Sequence, residues 1–313
     1  LETNSDQAKP REMYYAEPVY RPPSEAYSLL VQATVGCSSA ASGRCFFCAS
    51  YLFDKTLPEK RFRIRPTHEI LEDIEIGGEF YGRQVEKIFL LDSNAMVIKT
   101  RELLKILKKC YGTFPNLKQV SSYACCSDIL RKSDEELSAL REAGLKLVFI
   151  GLESGDQDVL DLMNKGVSIQ DQIDSVVKAN RAGIQTSVTV IIGLGGRKLS
   201  RRHAINTGKA AGAMNPTYFS ALTLMVVPGT PLDGMVKRGE FERVTDPLEI
   251  LRELSLMIEN IDAPGPVVFR TNHASNYLPL RGTLPRDKQN LLKTIQNAMK
   301  DPSLLRPESM RGL

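Results

Sequence analysis

Cys37, Cys45 and Cys48 fall within twelve residues, spaced C-x7-C-x2-C. Thiolates gathered in this way bind a soft metal or oxidise, because cysteines kept for packing have no reason to cluster. Zinc commonly takes four protein ligands at fixed spacing. The three histidines, His68, His203 and His273, are scattered, and the sequence has no second C-x-x-C. A 4Fe–4S cluster held by three cysteines instead leaves one iron open, which is a catalytic arrangement. On spacing alone, a zinc knuckle or a redox pair stays open as the alternative.

Other reactive side chains stand in short polar segments. Asp92-Ser93-Asn94, Gly151-Leu152-Glu153-Ser154-Gly155 and Ile191-Ile192-Gly193-Leu194-Gly195-Gly196 each follow an apolar run. So does Pro228-Gly229-Thr230-Pro231-Leu232. Taken singly, each also reads as ordinary turn or helix-cap chemistry. Residues 270–283 form the most polar stretch outside the cysteine loop, and there His273 or Tyr277 is expected to move a proton, or the segment to dock the last helix. Cys125 and Cys126 follow another apolar run: a thiol there relays a hydrogen atom or ligates a metal, or both are inert and buried, as Cys110 on its helix is expected to be.

The elements that must position these residues alternate. Strands are expected over 29–36, 85–91, 117–123, 146–150, 186–192 and 218–227, and helices over 66–78, 100–111, 133–143, 156–164, 169–182, 200–214, 246–261 and 287–299. Ser133 and Glu136 are spaced for a capping box. Six strands alternating with helices predict a parallel α/β fold with active residues at the C-terminal strand ends. The cysteine loop follows the first strand, where such a fold places chemistry. A doubly wound sheet stays open as the alternative to a barrel.

Cys37 to Cys48 resembles the cluster loop of radical S-adenosylmethionine (SAM) enzymes, with Phe47 matching the C-x-Φ-C ending; the first gap is wider than the family's usual C-x3-C. The later segments follow in the family's order, in a style similar to the subfamilies containing methylthiotransferases and oxygen-independent coproporphyrinogen oxidases. The resemblance implies a partial (β/α)6 TIM-like barrel over 28–232, with an N-terminal tail or strap over 1–27. A helical C-terminal extension over 233–313 would close the barrel and shape the substrate pocket. It also implies that Cys37, Cys45 and Cys48 hold a 4Fe–4S cluster, and that Phe47, Asp92, Asn94, Glu153, Ser154, Ile191, Gly193 and Pro228 lie at the SAM site. Asp92 and Asn94 would meet the amino group, Glu153 and Ser154 the methionyl or ribose part, and Ile191 and Gly193 the adenine.

The expected activity is reductive cleavage of SAM to a 5′-deoxyadenosyl radical that takes hydrogen from a small substrate, with flavodoxin or ferredoxin as electron donor. No cobalamin-binding, auxiliary-cluster or RNA-binding segment is recognised, which favours a small molecule. Within the family the rival is a tRNA-modifying or sulfur-inserting enzyme; outside it, a non-catalytic iron–sulfur or zinc protein. A net charge of +4 on 313 residues makes no case for nucleic acid and leaves that partner open. No apolar run is long enough to span a membrane. Residues 1–7 lack the regions of a signal peptide, and six cysteines with three in one loop suit a reducing compartment, so a cytoplasmic location is expected.

Overall fold

The structure, a computed structural model, describes residues 11–312. Residues 1–10, the start of the expected strap and the segment read for a leader, lie outside them. Ten strands are present: β1 (Leu29–Gln32), β2 (Thr34–Val35), β3 (Arg63–Ile64), β4 (Lys87–Leu91), β5 (Gln119–Tyr123), β6 (Leu145–Glu153), β7 (Gln185–Ile192), β8 (Tyr218–Thr223), β9 (Val267–Arg270) and β10 (Arg281–Leu284). Eight form one sheet in the order β1-β4-β5-β6-β7-β8-β9-β10, and β2 and β3 make a small separate ribbon. Every neighbouring pair in the large sheet is parallel except the antiparallel β9–β10 hairpin. The six expected strands are there, and two more extend the sheet from the C-terminal segment, which is therefore not only helical.

Side chains alternate across each strand, so one sheet face meets the helices and the other faces inward. Val31, Ile88, Leu90, Val120, Val148, Ile150, Val188, Val190, Phe219 and Phe269 belong to the outer core under the helices. The residues between them build a second, inner core of Phe89, Leu91, Leu147 and Phe149, with Leu30, Tyr123 and Tyr218 packed against it. Phe89 meets Tyr123 and Phe149 edge to face, at ring-centroid distances of 5.1 and 5.8 Å. One inner core shared by side chains from β1, β4, β5, β6 and β8 requires the sheet to curl, which makes a TIM-like partial barrel.

Local chemistry fixes the connections. The Ser133–Glu136 capping box forms at the start of helix Asp134–Glu142. Asp156 caps Gln157–Leu162, and Ser168 caps Ile169–Arg181. Gly155 follows β6 where the chain crosses helix Gly196–Met214; a Cβ there would stand 2.4 Å from the Asn206 carbonyl oxygen. The described part of the strap runs beside β1: the Tyr15 hydroxyl donates to Leu30 O at 2.7 Å, and the Ala16 N–H donates to Gln32 Oε1 at 2.7 Å. Tyr15 and Val19 rest on the inner aromatic floor.

Candidate active site at the strand ends

The wide first gap of the cysteine loop is taken up by one helical turn, Ser38–Ala41, with Cys37 as its N-cap residue. Cys48 stands at the same position before helix Ala49–Thr56. Between them the chain is hooked to the far side of the barrel. The N–H of Cys45, a left-handed residue at φ 61°, donates to Asn164 O at 3.0 Å, and the Phe46 N–H donates to Met163 O at 3.0 Å. Phe46 O accepts from the Leu232 N–H at 3.1 Å. Phe47 packs against an apolar cluster of Val159, Met163, Leu194, Leu232 and Phe241. Pro231-Leu232 thus braces the loop, while Pro228 is exposed.

A carboxylate and an ammonium face the thiols. Glu153 ends β6 in a left-handed conformation, and Lys165 Nζ lies 3.0 Å from its Oε1. Space for that carboxylate comes from Gly151, since a Cβ there would stand 2.0 Å from Glu153 Oε1. Burial alone would lower the Lys165 pKa, but Glu153, Cys45 and Cys125 hold it well above the ordinary lysine value. Cys45 is pushed up to about 12 and Cys48 is raised, by burial first and then by neighbouring thiols. Cys37 and Cys125 act on each other, which raises the Cys37 thiol and lowers that of Cys125.

These donors fit an iron–sulfur cluster. Three soft sulfurs share one pinned loop, and their ionisation is opposed by burial and by each other, both of which a cationic cluster relieves. Among the described residues no three Cys, His, Asp or Glu side chains already stand together as a metal site.

Several expected cofactor residues are braced from behind. Ser154 is fully buried, with its Oγ 2.8 Å from His203 Nδ1. His203 Nε2 lies 3.1 Å from Ile191 O, so it carries the proton and Nδ1 accepts from Ser154. Buried Glu253 accepts the Gly193 N–H at 2.6 Å and also the Ser200 hydroxyl. A single His203–Glu253 network thus sets the ends of both β6 and β7. Asn94, fully buried, donates to Ser38 and Asp128 and accepts the Cys125 N–H at 3.2 Å. Asp92 accepts from Lys60 Nζ at 2.5 Å and from the Gly36 N–H at 3.2 Å, beside the cysteine loop.

Burial holds His203 below its ordinary value of 6.5. The unfolded chain therefore binds the proton that the folded chain refuses, and stability rises with pH across the interval between the two values. Melting temperature is expected to fall as pH drops from about 7 to about 5, and to fall less steeply in His203→Gln. Equal slopes in calorimetry would remove His203 from that dependence.

Tyr277 and His273 are organised by the C-terminal segment. The Tyr277 hydroxyl donates to Glu308 Oε2 at 2.7 Å, and the Arg311 guanidinium lies 3.9 Å over its ring. Burial pushes the phenol up to about 12. It borders a cavity of about 880 Å³ lined also by Leu224, Arg243, Asp246 and Arg306. His273 Nδ1 accepts from the Ser275 N–H at 3.2 Å and its hydroxyl at 2.9 Å.

Sequence reasoning missed Lys165, Lys60, His203 and Glu253. A lone lysine reads as surface charge, and a buried acid on an amphipathic helix reads as its polar face. No periodic signal could have shown otherwise.

A family model described as "Radical SAM superfamily" matches residues 31–207, more than half of the 313-residue chain. An uncharacterized methyltransferase of Pyrococcus horikoshii is 27% identical over 192 residues, covering 60% of this chain and 38% of its own length. A biotin synthase of Alkalilimnicola ehrlichii is 32% identical over 111 residues, 36% of this chain and 33% of its own. The chain therefore spans well under two thirds of either relative. Among solved structures, methylornithine synthase superposes with a TM-score of 0.52 at 15% identity, covering 90% of this chain and 83% of that one. Coproporphyrinogen III oxidase from Escherichia coli gives 0.53 at 16% identity, covering 75% and 52%. At these identities the structural likeness is one of fold. No described helix is long and apolar enough to cross a membrane.

Proposed function

The chain belongs to the radical SAM superfamily, whose enzymes use a 4Fe–4S cluster and SAM, and on that premise we propose that Cys37, Cys45 and Cys48 are the cluster ligands and that the substrate is a small molecule on the inner face of the barrel. The observation that carries this reading is that the loop bearing all three thiols is hydrogen-bonded to the turn that precedes Lys165, the partner of Glu153. When bound, the cluster supplies an electron that cleaves SAM and yields a hydrogen-abstracting 5′-deoxyadenosyl radical.

The protein's own task is orientation and exclusion of water. Glu153 offers a carboxylate to a cationic amino group, and Lys165 fixes its direction while offsetting thiolate charge. Ile191 and Gly193 present backbone and apolar surface to a flat base, held in place by His203 and Glu253. The aromatic floor closes the barrel below, so a radical formed at the strand ends meets only what is seated there. The electron comes from outside the chain, from a flavodoxin or ferredoxin.

Anaerobic reconstitution with iron and sulfide, dithionite reduction and addition of SAM tests the reading. We expect 5′-deoxyadenosine and methionine in equal amounts. A protein loaded with about four irons that neither binds nor cleaves SAM would refute it. Gly151→Ala probes the carboxylate seat: its new Cβ displaces a flexible side-chain end, not backbone. Deoxyadenosine formation is expected to fall roughly tenfold or more with little change in melting temperature. Unchanged turnover would remove Glu153 from the SAM site.

A further inference from the structure

One layer above the aromatic floor, the inner face changes character. Gly151 pairs with Thr189, Thr189 with Ser220, Ser220 with Arg270, and Arg270 with Arg281. Five strands thus set these residues side by side at one height, on the face opposite the outer core. Their outward neighbours Ile150, Val188, Val190, Phe219, Ala221 and Phe269 are buried, whereas Gly151, Thr189, Ser220 and Arg270 are partly buried and Arg281 is exposed. This layer therefore borders open space. Arg270 ends β9, and so lies at the same strand ends as the cysteine loop.

The two arginines are unusual. They are direct cross-strand partners in the β9–β10 hairpin, where side chains share a face. Like charges placed directly opposite destabilise a strand pair. Among the described residues neither forms an ion pair with a carboxylate. The Arg270 guanidinium lies 5.4 Å over the Tyr218 ring, and its buried Nε has no hydrogen-bond partner. A buried charged donor without a partner is costly to keep. An anion seated between the guanidinium groups removes both costs, and arginine's planar fork suits carboxylate or phosphate.

We propose that Arg270 and Arg281 bind the anionic group, carboxylate or phosphate, of the small substrate, whose apolar body lies over Tyr218 and the aromatic floor. Ser220 and Thr189 flank the anion with hydroxyls, and Gly151 leaves the layer open toward Glu153. The assignment rests on the barrel interior being the substrate site.

The test uses reconstituted protein with SAM, titrated anaerobically in a calorimeter with 3-phenylpropionate, its neutral amide 3-phenylpropionamide, and phenyl phosphate. At least one anion is expected to bind at least tenfold more tightly than the amide, and the tighter of the two identifies the group. Arg270→Gln is expected to weaken that anion at least tenfold, with partial recovery in Arg270→Lys, which also controls for folding. Equal binding of anions and amide, or an Arg270→Gln variant that binds as wild type does, overturns the proposal. So does a tenfold loss of SAM itself in equilibrium dialysis of Arg270→Gln, which would give the guanidinium to the cofactor. Deoxyadenosine formation without any probe separates the two readings. A wild type that makes it but binds no anion sinks the anion site alone, and one that binds the anion but never makes it sinks the reaction.

Discussion

Cys45→Ala is expected to leave a folded protein that holds no 4Fe–4S cluster and makes no detectable 5′-deoxyadenosine. The loop's geometry comes from backbone hydrogen bonds of Cys45 and Phe46 to Asn164 and Met163, which an alanine keeps. The lost sulfur is another matter, because two thiols leave two irons to find other ligands. After reconstitution, wild type should carry about four irons per chain. The variant should carry far fewer, with turnover down by roughly 10³-fold or more. Cys125→Ala is the informative companion. Its sulfur lies 3.8 Å from Ser39 Oγ but outside the loop, so iron content is expected to stay near wild type. A cluster lost with Cys125 and kept without Cys45 would transfer the ligand role from one to the other.

Asp92→Ala should be the most destabilising single change near the site. Lys60 and Asp92 are both 3% exposed at the side chain and 2.5 Å apart, and Lys60 Nζ also donates to Ala16 O in the strap. Removing the carboxylate strands an ammonium in the interior, which costs about 3–5 kcal/mol. For a chain of 313 residues that is a fall in melting temperature of roughly 5–8 °C. Replacing both partners with apolar residues, as in Lys60→Met with Asp92→Leu, should recover part of the loss, since it removes the stranded charge, while the Gly36 N–H and Ala16 O lose these partners. An Asp92→Ala variant that melts like wild type but binds SAM weakly would mean that Asp92 serves the cofactor and not the fold.

The cysteine loop and the strands Lys87–Leu91 through Tyr218–Thr223 were legible because their signals are local. Clustered thiols, runs of apolar β-branched residues and a capping box need no knowledge of the rest of the chain. Of the hairpin of Val267–Arg270 and Arg281–Leu284 only the first strand was legible, because Pro266 to Phe269 reads as a strand-like run. Arg-Gly-Thr-Leu has few β-formers, because its inward positions face open space where apolar side chains gain nothing. The same reason hid the arginine pair, which exists only through register. Ser154 illustrates a subtler limit. Its position after β6 was visible, but its partner His203 lies 49 residues on, so sequence did not distinguish a side chain facing a ligand from one turned back into the protein. Lys165 became meaningful only once the turn after Leu162 was seen to carry the cysteine loop.

The hooks on that loop bear on how the metal is loaded. Small zinc domains commonly fold only as they bind, so that metal affinity and folding free energy are one quantity. Here Cys45, Phe46 and Asn164 tie the loop to a turn more than a hundred residues away through bonds that contain no sulfur. The seat is therefore built before its occupant arrives, and ordering the backbone is no part of the cost of binding. If the three cysteines are the ligands, loading would be the turning of three side chains on a finished frame, and a cluster lost to oxygen would leave behind a chain ready to receive another.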